Sequence, residues 1–160
     1  MLSPDLLWKS QLVLAALMTG IIWQVQLLTY PQFLKITAAD FVAYHRSHTK
    51  RMGWVVGPPM LAELGLALLT AWLLPSAHSY GALALVIAVW LTTALVQIPL
   101  HNRLARGYDD SAIRKLITTN WLRTFLWSAR TVLLFCIVSA TSPIAPASSI
   151  SSNSAPTFHY

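Results

Sequence analysis

Residues 121–140, WLRTFLWSARTVLLFCIVSA, form a long apolar stretch in which Arg123 and Arg130 are the charged residues. A stretch of about 20 apolar residues is what an α-helix needs to cross the hydrocarbon core of a bilayer. Arginine is costly in lipid, so each of the two must face protein or water. The stretch therefore predicts a transmembrane helix with one polar side.

Three more apolar runs of similar length precede it, at about residues 10–30, 52–74 and 81–100. The chain has 160 residues, of which 56% are hydrophobic and 10% charged, whereas soluble domains carry about 25% charged residues. We predict an all-α, polytopic membrane four-helix bundle over residues 1–141. The single cysteine, Cys136, excludes a disulfide framework and is predicted to be a buried packing residue.

The basic residues cluster in two of the predicted connections between spans. The first holds Lys35, Arg46, Lys50 and Arg51, and the second holds Arg103, Arg106, Arg114 and Lys115. Because Lys and Arg are retained on the cytoplasmic side, both connections are predicted to be cytoplasmic. We therefore expect a multi-pass protein of the cell (inner) membrane with both termini outside the cytoplasm. The net charge of +6 then indicates contact with anionic lipids rather than nucleic acid.

Two segments outside the predicted spans are predicted to be an amphipathic helix and a disordered tail. Residues 38–52 place Phe41, Tyr44, His45 and His48 at helical spacing, which predicts a cytoplasmic amphipathic helix before the second span. Gly57, Pro58 and Pro59 follow, so either a new helix starts there or one long helix kinks. Residues 142–160 are rich in Ser, Pro and Ala, which predicts a disordered, outward-facing tail.

Polar residues in all four spans fall at similar depth, which predicts a polar pocket in the cytoplasmic half of the bundle. Glu63 is the acidic residue within the spans, and we expect it to pair with Arg130 or Arg123. The second arginine would then be free to bind an anionic or enolate-like oxygen. The catalytic candidates are His101, Glu63, Arg123 and Arg130, and the pocket candidates are Gln24, Gln97, Asn120 and Trp127.

The histidines also allow a metal site. His45 and His48 are three residues apart on one helical face, and Glu63 and His101 are further candidate ligands. Three histidines and one carboxylate would suit iron or zinc. Such a site requires the chain to fold back at residues 57–59, because a straight helix would hold His48 and Glu63 about 22 Å apart.

Two short motifs carry a resemblance to a known family. Residues 97–104, QIPLHNRL, together with Asn120, Trp121 and Arg123, resemble elements after the third span and at the start of the fourth in the anthrone-oxygenase-like family of small four-helix membrane proteins. One residue more separates Pro99 from Asn102 than in that family. The resemblance implies oxidation of a lipophilic aromatic or quinone-like substrate and names no cofactor.

The sequence thus leaves two functions open. One is an oxidoreductase on a small lipophilic molecule that enters from the bilayer, with Arg123 and Arg130 stabilising negative charge and His101 or Glu63 moving a proton. The other is a non-catalytic accessory or structural membrane protein whose buried polar layer specifies helix packing. The expected partners are membrane lipids and a small hydrophobic ligand, and a homo-oligomer is left open.

Overall fold

The computed structural model describes residues 3–141, and the predicted tail lies outside the described residues. In order, the helices are α1 (Pro4–Gln24), α2 (Tyr30–Phe33), α3 (Ala38–Leu73), α4 (Ala77–Thr92), α5 (Ile98–Leu104) and α6 (Asp110–Thr141). Two π-helical segments, Val25–Thr29 and Thr93–Gln97, join α1 to α2 and α4 to α5. The described chain therefore forms four long helical rods.

The four rods form an all-α bundle, as predicted. Pro4–Phe33, Ala38–Leu73, Ala77–Leu104 and Asp110–Thr141 are each long and apolar enough to cross a membrane. Each rod packs against its neighbours in sequence, and the first and fourth rods, α1 and α6, close the ring. In this arrangement α3 and α6 lie diagonally opposite each other. The rods extend past the apolar runs because their polar ends are also helical.

The distribution of polarity differs from that in a soluble protein, because the outer surface is apolar and the largely apolar core also contains polar side chains. Large apolar side chains cover the outer surface, including Trp72 at 83% and Trp54 at 76% exposure. Buried polar side chains occupy the interior, among them Gln11, Asn120 and Arg130. A surface this apolar is stable against lipid but not against water, so the fold is compatible with an integral membrane protein.

Helix α3 is one continuous helix and not two. Thr37 caps it, because its hydroxyl accepts a hydrogen bond from the Asp40 amide (3.3 Å), and Pro58 and Pro59 lie inside it. Its 36 residues are about 54 Å long, which exceeds the roughly 30 Å hydrocarbon core. The predicted amphipathic segment is thus the first part of this helix, and the chain does not fold back.

Each π-helical segment ends just before a proline. Pro31 follows Val25–Thr29, and Pro99 follows Thr93–Gln97. Proline lacks an amide hydrogen and its ring crowds the preceding helical turn, so a widened turn accommodates it. Although we find no repeat in the sequence, the first and third rods therefore share the same local interruption.

The prediction for Cys136 is wrong. Its side chain is exposed on the outer surface of α6, because the buried positions of this helical turn are taken by Leu134 and Ile137. A thiol is apolar enough for a lipid-facing position.

Candidate functional site

A cavity of about 280 Å³ lies inside the bundle, toward the end that carries the basic connections. All four rods line it, with Ile22 from α1, Met52 from α3, Gln97 and His101 from the third rod, and Trp127 from α6. Its volume is near the lower end of the roughly 300–1,000 Å³ range of ligand pockets. Apolar walls with a few polar groups are typical of a site for a small lipophilic molecule.

Arg123 lies at the wall of this cavity and is 7% exposed. Its Nη1 donates to Asn120 Oδ1 (3.1 Å), and its guanidinium carbon lies 5.1 Å from the ring centre of Trp127. Among residues 3–141 its Nε has no hydrogen-bond partner, and the buried ion pair there joins a different arginine, Arg130, to Glu63. Arg123 is therefore a buried cation whose protein partners are neutral.

A hydrogen-bonded chain of three side chains begins at the same cavity. The Tyr30 hydroxyl is 3.1 Å from His101 Nε2, and His101 Nδ1 is 3.0 Å from His45 Nε2. Tyr30 also lies close to the Arg123 guanidinium. His45 is 1% exposed, and its ring stacks on Phe41 (5.6 Å between ring centres). The chain leads from the cavity into the aromatic packing at the basic end of the bundle.

Amide side chains hold the inner wall in place. Asn120 Nδ2 donates to Gln26 Oε1 (2.8 Å), and Gln26 Nε2 donates to the Ile117 carbonyl (3.1 Å). Gln97 Nε2 donates to Thr119 Oγ1 (3.2 Å). Since Asn120 also contacts Arg123, this network sets the position of the arginine although Asn120 itself does not line the cavity.

The prediction that Gln24 lines the pocket is wrong. Gln24 is exposed and donates to Thr29 Oγ1 (2.9 Å), whereas Gln26 is 2% exposed and points inward. The π-helical segment that follows Gln24 changes the helical register, so the inward positions there are Val25, Gln26 and Thr29. Gln24 lies instead in a separate surface pocket with Tyr44 and Arg51.

A second polar layer lies apart from the cavity. Arg130 Nη1 donates to Glu63 Oε1 (2.7 Å), and Arg130 Nη2 donates to Gln11 Oε1 (2.9 Å). Gln11 Nε2 in turn donates to Thr70 Oγ1 (2.8 Å). The predicted pairing of Glu63 with Arg130 is thereby confirmed. These four side chains connect α1, α3 and α6, and none of them lines the cavity.

Trp127 connects the two layers. Its Nε1 donates to Glu63 Oε2 (3.0 Å), while its ring lies beside Arg123 and lines the cavity. Of the four predicted catalytic residues, the structure therefore brings His101 and Arg123 to the cavity. It places Glu63 and Arg130 behind Trp127, in a packed ion pair.

The predicted metal site is not formed. Within residues 3–141, no group of three or more His, Cys, Asp and Glu side chains could hold a metal ion. His45 and His101 do meet, but His48 packs against the ring of Phe33 (5.1 Å). Glu63 is far along the same helix, about 22 Å from His48, because α3 runs through Pro58 and Pro59 without folding back.

Sequence reasoning missed two contributors to the polar layers, Gln11 and Thr70, and assigned no role in the site to Tyr30. Tyr30 and Gln11 are polar residues within the first apolar run, and Thr70 lies in the second. The position of Gln11 within a span was a signal by itself, since a buried amide in a span needs a hydrogen-bond partner. Tyr30 carried a weaker signal, because tyrosine near a span end is common as an interfacial anchor.

Comparison of the chain with protein-family models, with curated proteins and with solved structures finds no match.

Proposed function

We propose that the cavity binds a small lipophilic molecule, aromatic or quinone-like, through a weakly acidic oxygen held at Arg123. A phenol, an enol or a hydroquinone has such an oxygen. The observation that carries this proposal is the buried, cavity-facing guanidinium of Arg123, whose protein contacts are all neutral and include Asn120, Tyr30 and the ring of Trp127.

The charge on Arg123 supports an anionic ligand atom. Arginine stays protonated in proteins, and an isolated buried charge is strongly unfavourable. Neutral contacts offset only part of that cost, whereas a phenolate or enolate oxygen would supply a full counter-charge. The site therefore favours the deprotonated form of a weakly acidic ligand, as an oxyanion site does.

The chain of Tyr30, His101 and His45 supplies a route along which the ligand proton can move. When a ligand hydroxyl donates to Tyr30, the Tyr30 proton can pass to His101 Nε2. The proton on His101 Nδ1 then passes to His45 Nε2. Both transfers run along contacts of 3.1 and 3.0 Å, which are within reach for proton transfer. In this proposal His101 moves the proton and Glu63 does not.

The reaction class we propose is oxidation of the bound anion by dioxygen. For 1-naphthol, one oxygen atom of dioxygen would enter the ring and the other would leave as water, which gives 1,4-naphthoquinone. Deprotonation makes an aromatic alcohol easier to oxidise because the anion is more electron-rich. The resemblance of residues 97–104 to the anthrone-oxygenase-like family supports the same class.

The second candidate function is a non-catalytic accessory protein. The packed layer of Glu63, Arg130, Gln11 and Thr70 favours it, because that layer joins helices and faces no cavity.

The test is binding of 1-naphthol and 1,4-naphthoquinone to the protein in lipid nanodiscs, measured by calorimetry. We expect wild type to bind 1-naphthol and Arg123→Met to lose most of that binding. Arg106→Met, which removes an exposed arginine, serves as the charge-matched control and should bind as wild type does. Equal binding by wild type and Arg123→Met would overturn the proposal.

His101→Ala separates the two functions. An enzyme with this variant should keep its fold and its 1-naphthol binding but lose oxidation of the probe. If the protein is an accessory protein, the wild type should not oxidise the probe. His101→Ala should then leave both the fold and the absence of oxidation unchanged.

A further inference from the structure

The cavity has an open side between two rods. Of the residues that line it, those from α1 and α6 are buried or half-buried, whereas Gly53, Ile98 and Asn102 are exposed. Gly53 belongs to α3, and Ile98 and Asn102 belong to α5. We propose that a mouth between α3 and α5 opens the cavity sideways into the bilayer, and that the lipophilic ligand enters there past Gly53. The ligand's identity rests on the proposed function, whereas the mouth itself can be tested separately.

Packing between the rods explains why the mouth is at this place. Helix α3 packs extensively along α4 but only slightly against α5. The π-helical segment Thr93–Gln97 and Pro99 interrupt the third rod at the point where α4 gives way to α5. A widened turn followed by a proline changes the course of a helix, and the two rods therefore part beside the cavity.

Helix α3 has an interruption of its own, just after the residues that it contributes to the cavity. Pro58 and Pro59 have no amide hydrogen, so the carbonyls of Trp54 and Val55 lack their usual helical donors. Both residues are exposed, at 76% and 51%. A backbone carbonyl in lipid is costly until a donor reaches it.

Apart from the exposed Asn102, exposed apolar side chains flank the mouth, which favours a lipid-soluble ligand over a water-soluble anion. Trp54 and Ile98 are exposed at 76% and 49%, and Leu95 at 71%. The cation that the ligand would reach, Arg123, lies at the inner wall. A molecule with an apolar body and one acidic oxygen matches both, because its body suits the apolar side chains at the mouth and its oxygen suits Arg123 at the inner wall.

Gly53 sets the width of the mouth in this proposal. A Cβ atom added at Gly53 would meet no other atom within 4 Å, so a larger side chain fits there without a clash and occupies the opening. Gly65 provides a matched control on the same helix. It is also exposed, a Cβ there would also meet nothing within 4 Å, and it does not line the cavity.

The first experiment follows association of 1-naphthol with the protein in nanodiscs by stopped-flow quenching of tryptophan fluorescence. Gly53→Leu should lower both the association and the dissociation rate roughly tenfold, since the obstacle lies in the path and not at Arg123. Gly65→Leu should react as wild type does. A wild-type association rate in Gly53→Leu would overturn the proposal.

The second experiment asks from which phase the ligand comes. In liposomes with a fixed total amount of 1-naphthol, the association rate should follow the mole fraction of probe in the lipid. A sulfonated naphthol, which stays in water, should not compete. A rate that follows the aqueous concentration, or efficient competition by the sulfonate, would show entry from water and overturn the bilayer route.

A third measurement does not depend on any ligand. In a Cys136→Ala background, Gly53→Cys should react with a lipid-soluble maleimide much faster than with a charged, water-soluble one. Preferential reaction with the water-soluble reagent would place the mouth in water and refute the proposal. If wild type binds no naphthol but this labelling pattern holds, the proposed function fails and the bilayer-facing mouth stands.

Discussion

Arg130 and Glu63 form an ion pair across the diagonal of the bundle, with Nη1 and Oε1 2.7 Å apart and the side chains 0% and 3% exposed. They belong to α6 and α3, which do not pack against each other as neighbours. Arg123, two helical turns before Arg130, has no carboxylate partner among the described residues. The two arginines of one helix face thus have different roles, one in packing and one at a cavity.

Removing one partner of the buried pair should destabilise the protein strongly. Glu63→Gln leaves Arg130 as an uncompensated buried charge, and such a change costs about 3–5 kcal/mol. The double variant Glu63→Met/Arg130→Met should recover most of the loss, because it removes both charges at similar volume. Thermal unfolding of the detergent-purified protein measures this. A single variant as stable as wild type would show that the pair contributes nothing to the fold.

Arg123→Met, unlike Glu63→Gln, should not lower the stability of the protein but should abolish probe binding. Because Arg123 is a buried cation with neutral partners, its removal is expected to leave the melting temperature unchanged or to raise it, while probe binding is lost. Residues kept for function at the expense of stability behave in this way. Melting of the Arg123→Met and wild-type proteins, run beside the binding assay, checks the prediction. A large drop in melting temperature would instead identify Arg123 as a packing residue.

Asp109 should make stability depend on pH. Its carboxylate accepts hydrogen bonds from the Ala112 amide (2.9 Å) and from Arg103 Nε (2.6 Å). The Ala112 amide first, and then Arg103, hold the pKa of Asp109 below its ordinary value of 3.8. A lowered folded-state pKa gives stability that is present above the unfolded value and is lost as the pH falls through the folded one.

Asp109→Asn tests this, because asparagine also caps helices well but does not titrate. Wild type should melt higher than the variant at neutral pH, and the difference should shrink as the pH is lowered below 3.8. A difference that persists unchanged at low pH would mean that the carboxylate charge is not its source.

The orientation predicted from the basic connections can be tested by labelling. In a Cys136→Ala background, Arg106→Cys should react with a membrane-impermeant maleimide only in inside-out vesicles, and Ser76→Cys only in right-side-out cells or vesicles. The reason is that Lys and Arg are retained on the cytoplasmic side. The reverse pattern would place the cavity near the outer side of the membrane and both termini in the cytoplasm.

Much of the candidate site was predictable because helical spacing is a local property. Asn120, Arg123, Trp127 and Arg130 share one face of α6 by spacing alone, and all four are buried. That Glu63 pairs with an arginine followed from the free-energy cost of an unpaired buried charge, since Glu63 is the acidic residue within the spans. The metal site was not predictable in this way, because it depended on whether α3 folds back at Pro58 and Pro59.

By itself, the sequence determined the number of apolar helices, the polar face of α6 and the basic end of the bundle, because hydropathy, helical period and charge act over neighbouring residues. Only the tertiary structure decided which arginine meets Glu63, that Tyr30, His101 and His45 form a chain, and that Gln26 rather than Gln24 points inward. Those outcomes depend on the rotation and relative height of packed helices. Widened turns before Pro31 and Pro99 alter both, and no local pattern specifies how far.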